Sequence, residues 1–361
     1  MADRDLAAWL RLTLIPGVGP EGQRRLLRDF GLPENVFAAG VGALRASVGD
    51  AAPTVAGHDA AAEVEAALAW ARQPGNRVVT LADPDYPQTL LHAADPPVLL
   101  YVKGRAELLN QPSLAIVGAR SATRQGEANA RAFAATLSQA GLTIVSGLAL
   151  GIDAAAHRGA LEGPASTVAV IGTGIDRIYP SGNADLARTI AEQGAIVSEF
   201  PLGMPPLSGN FPRRNRIIAG LARGCLVVEA AERSGSLITA RLAAECGNEV
   251  FAIPGSIHSP LSKGCHKLIK QGAKLVDNAA DILEELKWEN AVSPIGQGTQ
   301  EASPARPGAE LLQALGGDPC DIDTLCERTG MAADAVVTGL LALELEGRIA
   351  VLPGGRYQRV V

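Results

Sequence analysis

Six short runs decide the fold: LAIVG (114–118), TIVSG (143–147), VAVIG (168–172), AIVSEF (195–200), CLVVEA (225–230) and EVFAIPG (249–255). Each is a continuous aliphatic or β-branched stretch rather than an alternating one, the pattern of a strand covered on both faces. Ala-rich stretches such as GEANARAFAATLSQAG (126–141) separate them and supply the crossover helices that parallel strands require. The alternation predicts an α/β fold, a Rossmann-like doubly wound parallel sheet, over roughly 114–286.

Outward from this core the text changes character. Residues 1–72 have a helical period that Pro74 and Gly75 break, and a connector with Pro84, Pro87, Pro96 and Pro97 then leads to Leu100. The stretch ENAVSPIGQGTQEASPARPGA has no hydrophobic period and reads as a flexible linker. The tail reads as two or three helices followed by RIAVLPGGRYQRV, two β-like runs around a Pro-Gly-Gly turn, the outline of a winged helix. The expected layout is a small helical domain over 1–75, connector and core over 76–288, linker over 289–309 and winged helix over 310–361.

Composition narrows the function. Aromatic residues make up only 4% of the 361, which favours close helix-on-sheet packing over an aromatic-rich sandwich. A net charge of -6 excludes a protein that coats nucleic acid with its whole surface, so any nucleic-acid site is local. The five cysteines include no C-x-x-C pair and read as small buried hydrophobes in a reducing compartment, neither a disulfide framework nor a zinc knuckle. MADRDLAAWL lacks a basic n-region, and no stretch approaches 18 uninterrupted apolar residues, so a cytoplasmic protein without a membrane partner is expected.

In an open parallel sheet, ligands gather at the carboxyl ends of strands. LAIVGARSATRQG (114–126) begins like a dinucleotide site, but no G-x-G-x-x-G follows Gly118, and VAVIGTGIDR (168–177) carries Arg177 where a third glycine belongs. Both departures argue against a nicotinamide or flavin cofactor. The first loop instead offers Arg120 and Arg124 beside a helix start whose free N–H groups favour phosphate; two solvated loop arginines are the plain alternative. SGNFPRRNRIIAG (208–220) is the most informative segment, with Asn210, Phe211, Arg213, Arg214, Asn215 and Arg216 in seven positions. Arginine forks bind phosphate oxygens, and an exposed Phe is a platform for an unstacked base. The alternative makes Phe211 a core plug and the arginines a solvated helix face. Pro212 disfavours helical geometry at Phe211, so the ring is expected to project from the sheet edge toward solvent. Asp153 and His157, four apart, suggest acid–base chemistry or half a metal site, but no further ligand cluster accompanies them and a buried structural pair is the plainer reading. No metal is expected. Ser146 and Ser234 lack a G-x-S-x-G elbow, and Ser234 to Ser236 read as a helix cap.

Taken in order, GAR (118–120), SGLALGID (146–153), SGNFPRRNRIIAG, ERSGSLITAR (232–241), VFAIPGS (250–256) and GCHKLIKQGAKLV (264–276) resemble the core of the DNA-processing protein A (DprA) family. The likeness spans roughly 114–286, with 208–220 its most specific part. It implies a single-stranded-DNA-binding protein without catalysis that protects the strand, competes with single-strand-binding protein and recruits the recombinase RecA during natural transformation or recombination. The family's DNA contacts fall on Arg120, Ser208, Gly209, Asn210, Phe211 and the neighbouring arginines. Its dimer surface falls on 264–276 and points to His266, Ile269 and Leu275, so a homodimer is expected. Leu150 departs from the pattern, standing where relatives commonly carry Lys or Arg; in the first loop Ala119 stands where they commonly carry Ser and Gln125 where they carry an aromatic residue.

The flanks are less specific. LTLIPGVGPEGQRRLLRDFG (12–31) is similar to a helix-hairpin-helix in which Gly17 and Gly19 present N–H groups to a phosphate; a packing turn fits equally, because Pro20 lacks a donor. Residues 310–361 hold eight acids against four arginines, and the expected recognition helix carries Asp334, Glu344 and Glu346, which favours a protein contact over duplex DNA. A competing reading, a nucleotide-processing enzyme of the nucleoside-phosphate ribohydrolase type, requires a P-G-G-x-G-T phosphate loop. The nearest text is PGS at Pro254, and the Pro-Gly-Gly at Pro353 lies in the wing turn. A winged-helix transcription factor would need a basic recognition helix.

Overall fold

The computed structural model describes residues 3–93, 95–288, 309–315 and 319–359. The expected linker lies outside the described residues except for Ala309, which begins a helix. Six helices open the chain: α1 (Asp3–Thr13), α2 (Pro20–Phe30), α3 (Pro33–Ala38), α4 (Val41–Val48), α5 (Ala52–Gly57) and α6 (Ala61–Ala71). A nine-stranded sheet follows, built from β1 (Asn76–Thr80), β2 (Leu99–Gly104), β3 (Ser113–Val117), β4 (Thr143–Ser146), β5 (Thr167–Val170), β6 (Ala195–Ser198), β7 (Gly224–Val227), β8 (Glu249–Ala252) and β9 (Lys274–Leu275). Their order is β1-β2-β6-β5-β4-β3-β7-β8-β9. All pairings from β6 across to β9 are parallel, while β1–β2 and β2–β6 are antiparallel.

All six quoted runs form parallel strands, and their unbroken apolarity has the expected cause. On β3, Ala115 and Val117 point into one core together with Val145, Val168, Ile217, Ile218 and Cys265. Leu114 and Ile116 point into the opposite core with Ala130, Leu137, Ile152 and Ile282. Helices α10 (Asn210–Leu221), α11 (Ser236–Glu245) and α12 (Lys263–Lys270) therefore cover one face. On the other lie α7 (Arg124–Gln139), α8 (Ile152–Ala160) and α13 (Ala279–Glu285), with α9 (Ala184–Gln193) packed beside β2 and β6. The proline-rich connector holds β1 and β2, which extend the sheet with an antiparallel pair.

The amino-terminal helices have a core of their own around Leu12, Leu26, Val36 and Leu44. They also share one with the sheet, where Trp9, Leu68 and Trp70 meet Leu99, Tyr101 and Ile196. At the other end of the chain, α14 (Ala309–Leu315), α15 (Ile322–Thr329), α16 (Ala333–Leu345), β10 (Ile349–Leu352) and β11 (Arg356–Arg359) form a winged helix around Leu312, Leu325, Leu340 and Ile349. The wing turn needs its glycines: Gly354 and Gly355 both have positive φ, 86° and 69°. All five cysteines are free, with Cys225, Cys265 and Cys320 buried. Among the described residues no helix is long and apolar enough to cross a membrane.

Candidate nucleic-acid interface

The sheet order reverses between β3 and β7, and a crevice opens outside the carboxyl ends of these strands, where the topology of an open α/β sheet places ligands. A cavity of about 510 Å³ lies there, walled by the loops after β3 and β4, by the first turns of α10 and by the start of α11.

Helix α10 supplies most of the chemistry. At about 100° per residue, Phe211, Arg214, Asn215 and Ile218 share one face and all four line the cavity. Gly209 caps the helix without a side-chain hydrogen bond, and no acid stands in its first turn, which leaves a positive helix end beside the cavity. Phe211 lies inside that first turn, one residue before Pro212, because proline is tolerated at the start of a helix. The expected non-helical backbone at Phe211 is thus corrected, while the ring lines the cavity. Phe211 is half-buried, and a Cβ on Gly172 would sit 3.0 Å from its Cδ1, so the ring packs closely against the bare backbone there. Its other neighbours are the Tyr179 ring, 5.7 Å away and tilted by 43°, and the Arg120 guanidinium, 5.6 Å from the ring centroid.

Arg214 is 5% exposed, and its guanidinium occupies the space a side chain at position 147 would need: a Cβ on Gly147 would lie 1.5 Å from Nη1. Burial lowers its pKa to about 10, with Arg120 adding to the shift and Asp153 opposing it. Among the described residues its Nε finds no hydrogen-bond acceptor. Two neighbouring cations thus face a cavity beside two aromatic rings, with Asp153 as the counter-charge of Arg214. Asp153 also braces the loop after β4, where its Oδ2 accepts hydrogen bonds from the Gly147 and Ala149 amides, at 3.1 and 3.3 Å. His157 Nε2 accepts from the Leu148 amide at 3.3 Å while Nδ1 meets Thr167 Oγ1 at 2.7 Å. Burial, with Arg214 and Arg158 adding to it, holds His157 neutral, its pKa lowered to about 3. The pair is structural: it fixes the 147–149 loop, in which Leu148 adopts a left-handed φ of 57°.

The remaining sequence-predicted residues separate. Ser208 lines the cavity; Asn210 is committed to Gly172, donating to its carbonyl at 3.1 Å. Arg124 is exposed at the start of α7, away from the cavity lining. The phosphate position expected at that helix is already filled, because Glu229 accepts from the Thr123 amide at 2.9 Å and from its hydroxyl at 2.6 Å. A carboxylate there takes the place a pyrophosphate occupies in dinucleotide folds. Arg213 and Arg216 point to the rear of α10, where Glu199 engages both. At the far edge of the sheet, β9 carries Leu275, 52% exposed, while Ile269 packs partly inward and His266 Nε2 lies 3.0 Å from the Gly255 carbonyl.

Sequence reading missed Tyr179, whose only signal is an aromatic in a polar loop after β5, and the hydroxyls of Ser234, Ser236 and Thr239, which line the cavity. It also assigned no role to Glu229 and Glu199, acids at the ends of the runs CLVVEA and AIVSEF whose cation and amide partners are distant in sequence.

These features define a Rossmann-like α/β protein with a local cationic and aromatic cleft and a carboxy-terminal winged helix. The chain belongs to the DNA processing protein A family: residues 77–287 match the family described as DNA recombination-mediator protein A, and residues 297–355 match the DprA winged helix domain. It is 47% identical over 298 residues to protein Smf of Escherichia coli, covering 81% of this chain and 80% of that protein. It is 49% identical over 209 residues to DNA processing protein DprA of Streptococcus pneumoniae, covering 58% and 74% respectively. The X-ray structure of DprA from S. pneumoniae superposes with a TM-score of 0.68 at 39% identity, over 79% of this chain and 98% of that one. DprA from Helicobacter pylori, whose structure describes a single-stranded DNA binding mode, gives a TM-score of 0.53 at 32% identity over 58% and 95%.

Proposed function

We propose that this chain binds single-stranded DNA in the cleft between Arg120, Phe211, Tyr179 and Arg214. In this reading it protects the strand, competes with single-strand-binding protein and loads RecA during natural transformation or recombination in the cytoplasm. The observation that carries the proposal is the pairing of Arg120 and buried Arg214 with two aromatic rings at an uncapped helix end. Cations and a helix terminus suit phosphate, and ring faces suit bases without regard to sequence. Binding without bond chemistry fits the commitment of Asp153 and His157 to backbone amides. The nucleotide-processing alternative loses ground to Glu229, which occupies the anion position at α7. A homodimer through the β9 edge fits the exposure of Leu275 there.

The test is a titration of labelled oligo-dT and of a duplex of equal length into the full chain and into Arg120→Ala. The expected result is preference for the single strand and a several-fold weaker variant. Equal affinity for duplex, or an Arg120→Ala variant that binds like the parent, would overturn the reading.

A further inference from the structure

Arg213 and Arg216 belong to the same short block as the cleft residues yet turn away from it, and what they turn toward is a chain of charges. Arg216 Nη2 and Arg213 Nη2 both donate to Glu199 Oε2, the latter at 3.3 Å, and Arg213 Nε lies 3.2 Å from Oε1. The Glu199 side chain is 3% exposed and that of Arg216 is 11% exposed. Arg216 Nε also lies 3.1 Å from Asp95 Oδ2, an ion pair in which the N–H is not aimed at the oxygen, so Nε and Nη1 are buried without a hydrogen bond among the described residues. Asp95 in turn pairs with Arg24 of α2, whose Nη1 donates to the Pro96 carbonyl at 3.1 Å. Glu199 and Arg213 also line a cavity of about 440 Å³ whose opposite wall is the turn between α1 and α2.

A buried carboxylate is tolerated only while its cations stay in place, so this arrangement has one good geometry. A shift of α10 breaks the Glu199 contacts, and a shift of α2 frees Asp95. We propose that Asp95 and Glu199 are positioning residues for single-strand binding: through Arg213 and Arg216 they fix the rear of α10, and through Arg24 they tie that helix to the amino-terminal helices. The inference rests on the proposed function for its binding consequence, while the mechanical link stands on the network alone. It reassigns two of the three arginines in the block, Arg213 and Arg216, from phosphate contact to the placement of Phe211 and Arg214.

Two measurements on the full chain test it. In hydrogen exchange without DNA, Asp95→Asn is expected to raise exchange in the first turns of α10 and in α2 together, and Asp95→Glu is expected to restore most of the protection. In oligo-dT titrations at several salt concentrations, Asp95→Asn and Arg216→Met should each weaken binding by about tenfold, a coupling of ordinary size. Neither should change the slope of log affinity against log salt. A phosphate ligand would give a different signature, because removing it lowers that slope by about 0.7. Arg24→Gln perturbs only the α2 end of the chain and serves should a core variant fail to fold; it is expected to speed α10 exchange as well. Unchanged α10 exchange in Asp95→Asn and Arg24→Gln, or a slope reduced by a full phosphate in Arg216→Met, overturns the proposal. If the parent protein ignores oligo-dT, the proposed function falls, and the exchange measurement decides the link by itself.

Discussion

Phe211→Ala separates the two roles this ring holds. The ring packs against Gly172 and lies 5.7 Å from the tilted Tyr179 ring, so truncation empties a half-buried site. Complete burial of a Phe is worth about 3–5 kcal/mol on truncation, and half of that is about 2 kcal/mol. For an unfolding unit the size of the 76–288 core, the loss corresponds to a fall in melting midpoint of about 4–8 °C. If the outer face stacks on one base, the same change weakens oligo-dT binding by about 1–3 kcal/mol, roughly 5- to 150-fold. Phe211→Leu distinguishes the two contributions, since Leu fills the space on Gly172 and offers no ring. The expected outcome is a midpoint within a few degrees of the parent by scanning calorimetry, with affinity by fluorescence anisotropy still close to that of Phe211→Ala. A Leu variant that binds oligo-dT like the parent would show that bulk rather than the π-face is what the strand needs, and the stacking argument would be wrong.

Three further outcomes follow from the same geometry. Because Arg120 and Arg214 are the arginines that line the cleft, the log–log salt slope should be about -1.4, an affinity loss of roughly sevenfold between 50 and 200 mM salt. A slope near -2.8, roughly a fiftyfold loss, would mean that Arg213 and Arg216 also reach phosphates. His157 has a folded pKa depressed from 6.5 to about 3, so its contribution to stability is present above pH 6.5 and is lost as pH falls, because the unfolded chain takes up the proton first. Between those limits the loss is up to about 1.4 kcal/mol per pH unit from this group, and His157→Gln should flatten the acid limb of a stability–pH curve; an unchanged limb would place the ring outside the core. Leu275→Lys on the exposed edge strand should lower self-association measured by light scattering, and a dimer that persists at micromolar concentration would place the interface elsewhere. Leu275 is a cleaner probe than Ile269, which packs partly into the core.

The parallel sheet was legible because burial on both faces writes itself into each strand as an unbroken apolar run, and every such run between Leu114 and Gly255 became a strand. The antiparallel β1–β2 pair was not, since it lies in the proline-rich connector and its strands are stabilised by partners far away in sequence, Ser198 among them. The site divides in the same way. Residue types in 208–220 pointed to phosphate and base chemistry, and the structure adds the helical spacing that puts Phe211, Arg214 and Asn215 on one face and Arg213 and Arg216 on another. What spacing leaves open is which of those faces is the wet one. That depends on Asp95, more than a hundred residues upstream, and on Glu199 at the end of β6, both brought to the rear of α10 by the sheet order. Glu229 makes the same point at α7, where a local pattern of cations at a helix start invites a phosphate and a carboxylate 106 residues away has taken the place. A cation therefore reads as a ligand contact from sequence only until the acids of the fold are assigned. In this chain the two arginines that line the cleft are the exposed Arg120 and Arg214, whose guanidinium stands where Gly147 has no side chain.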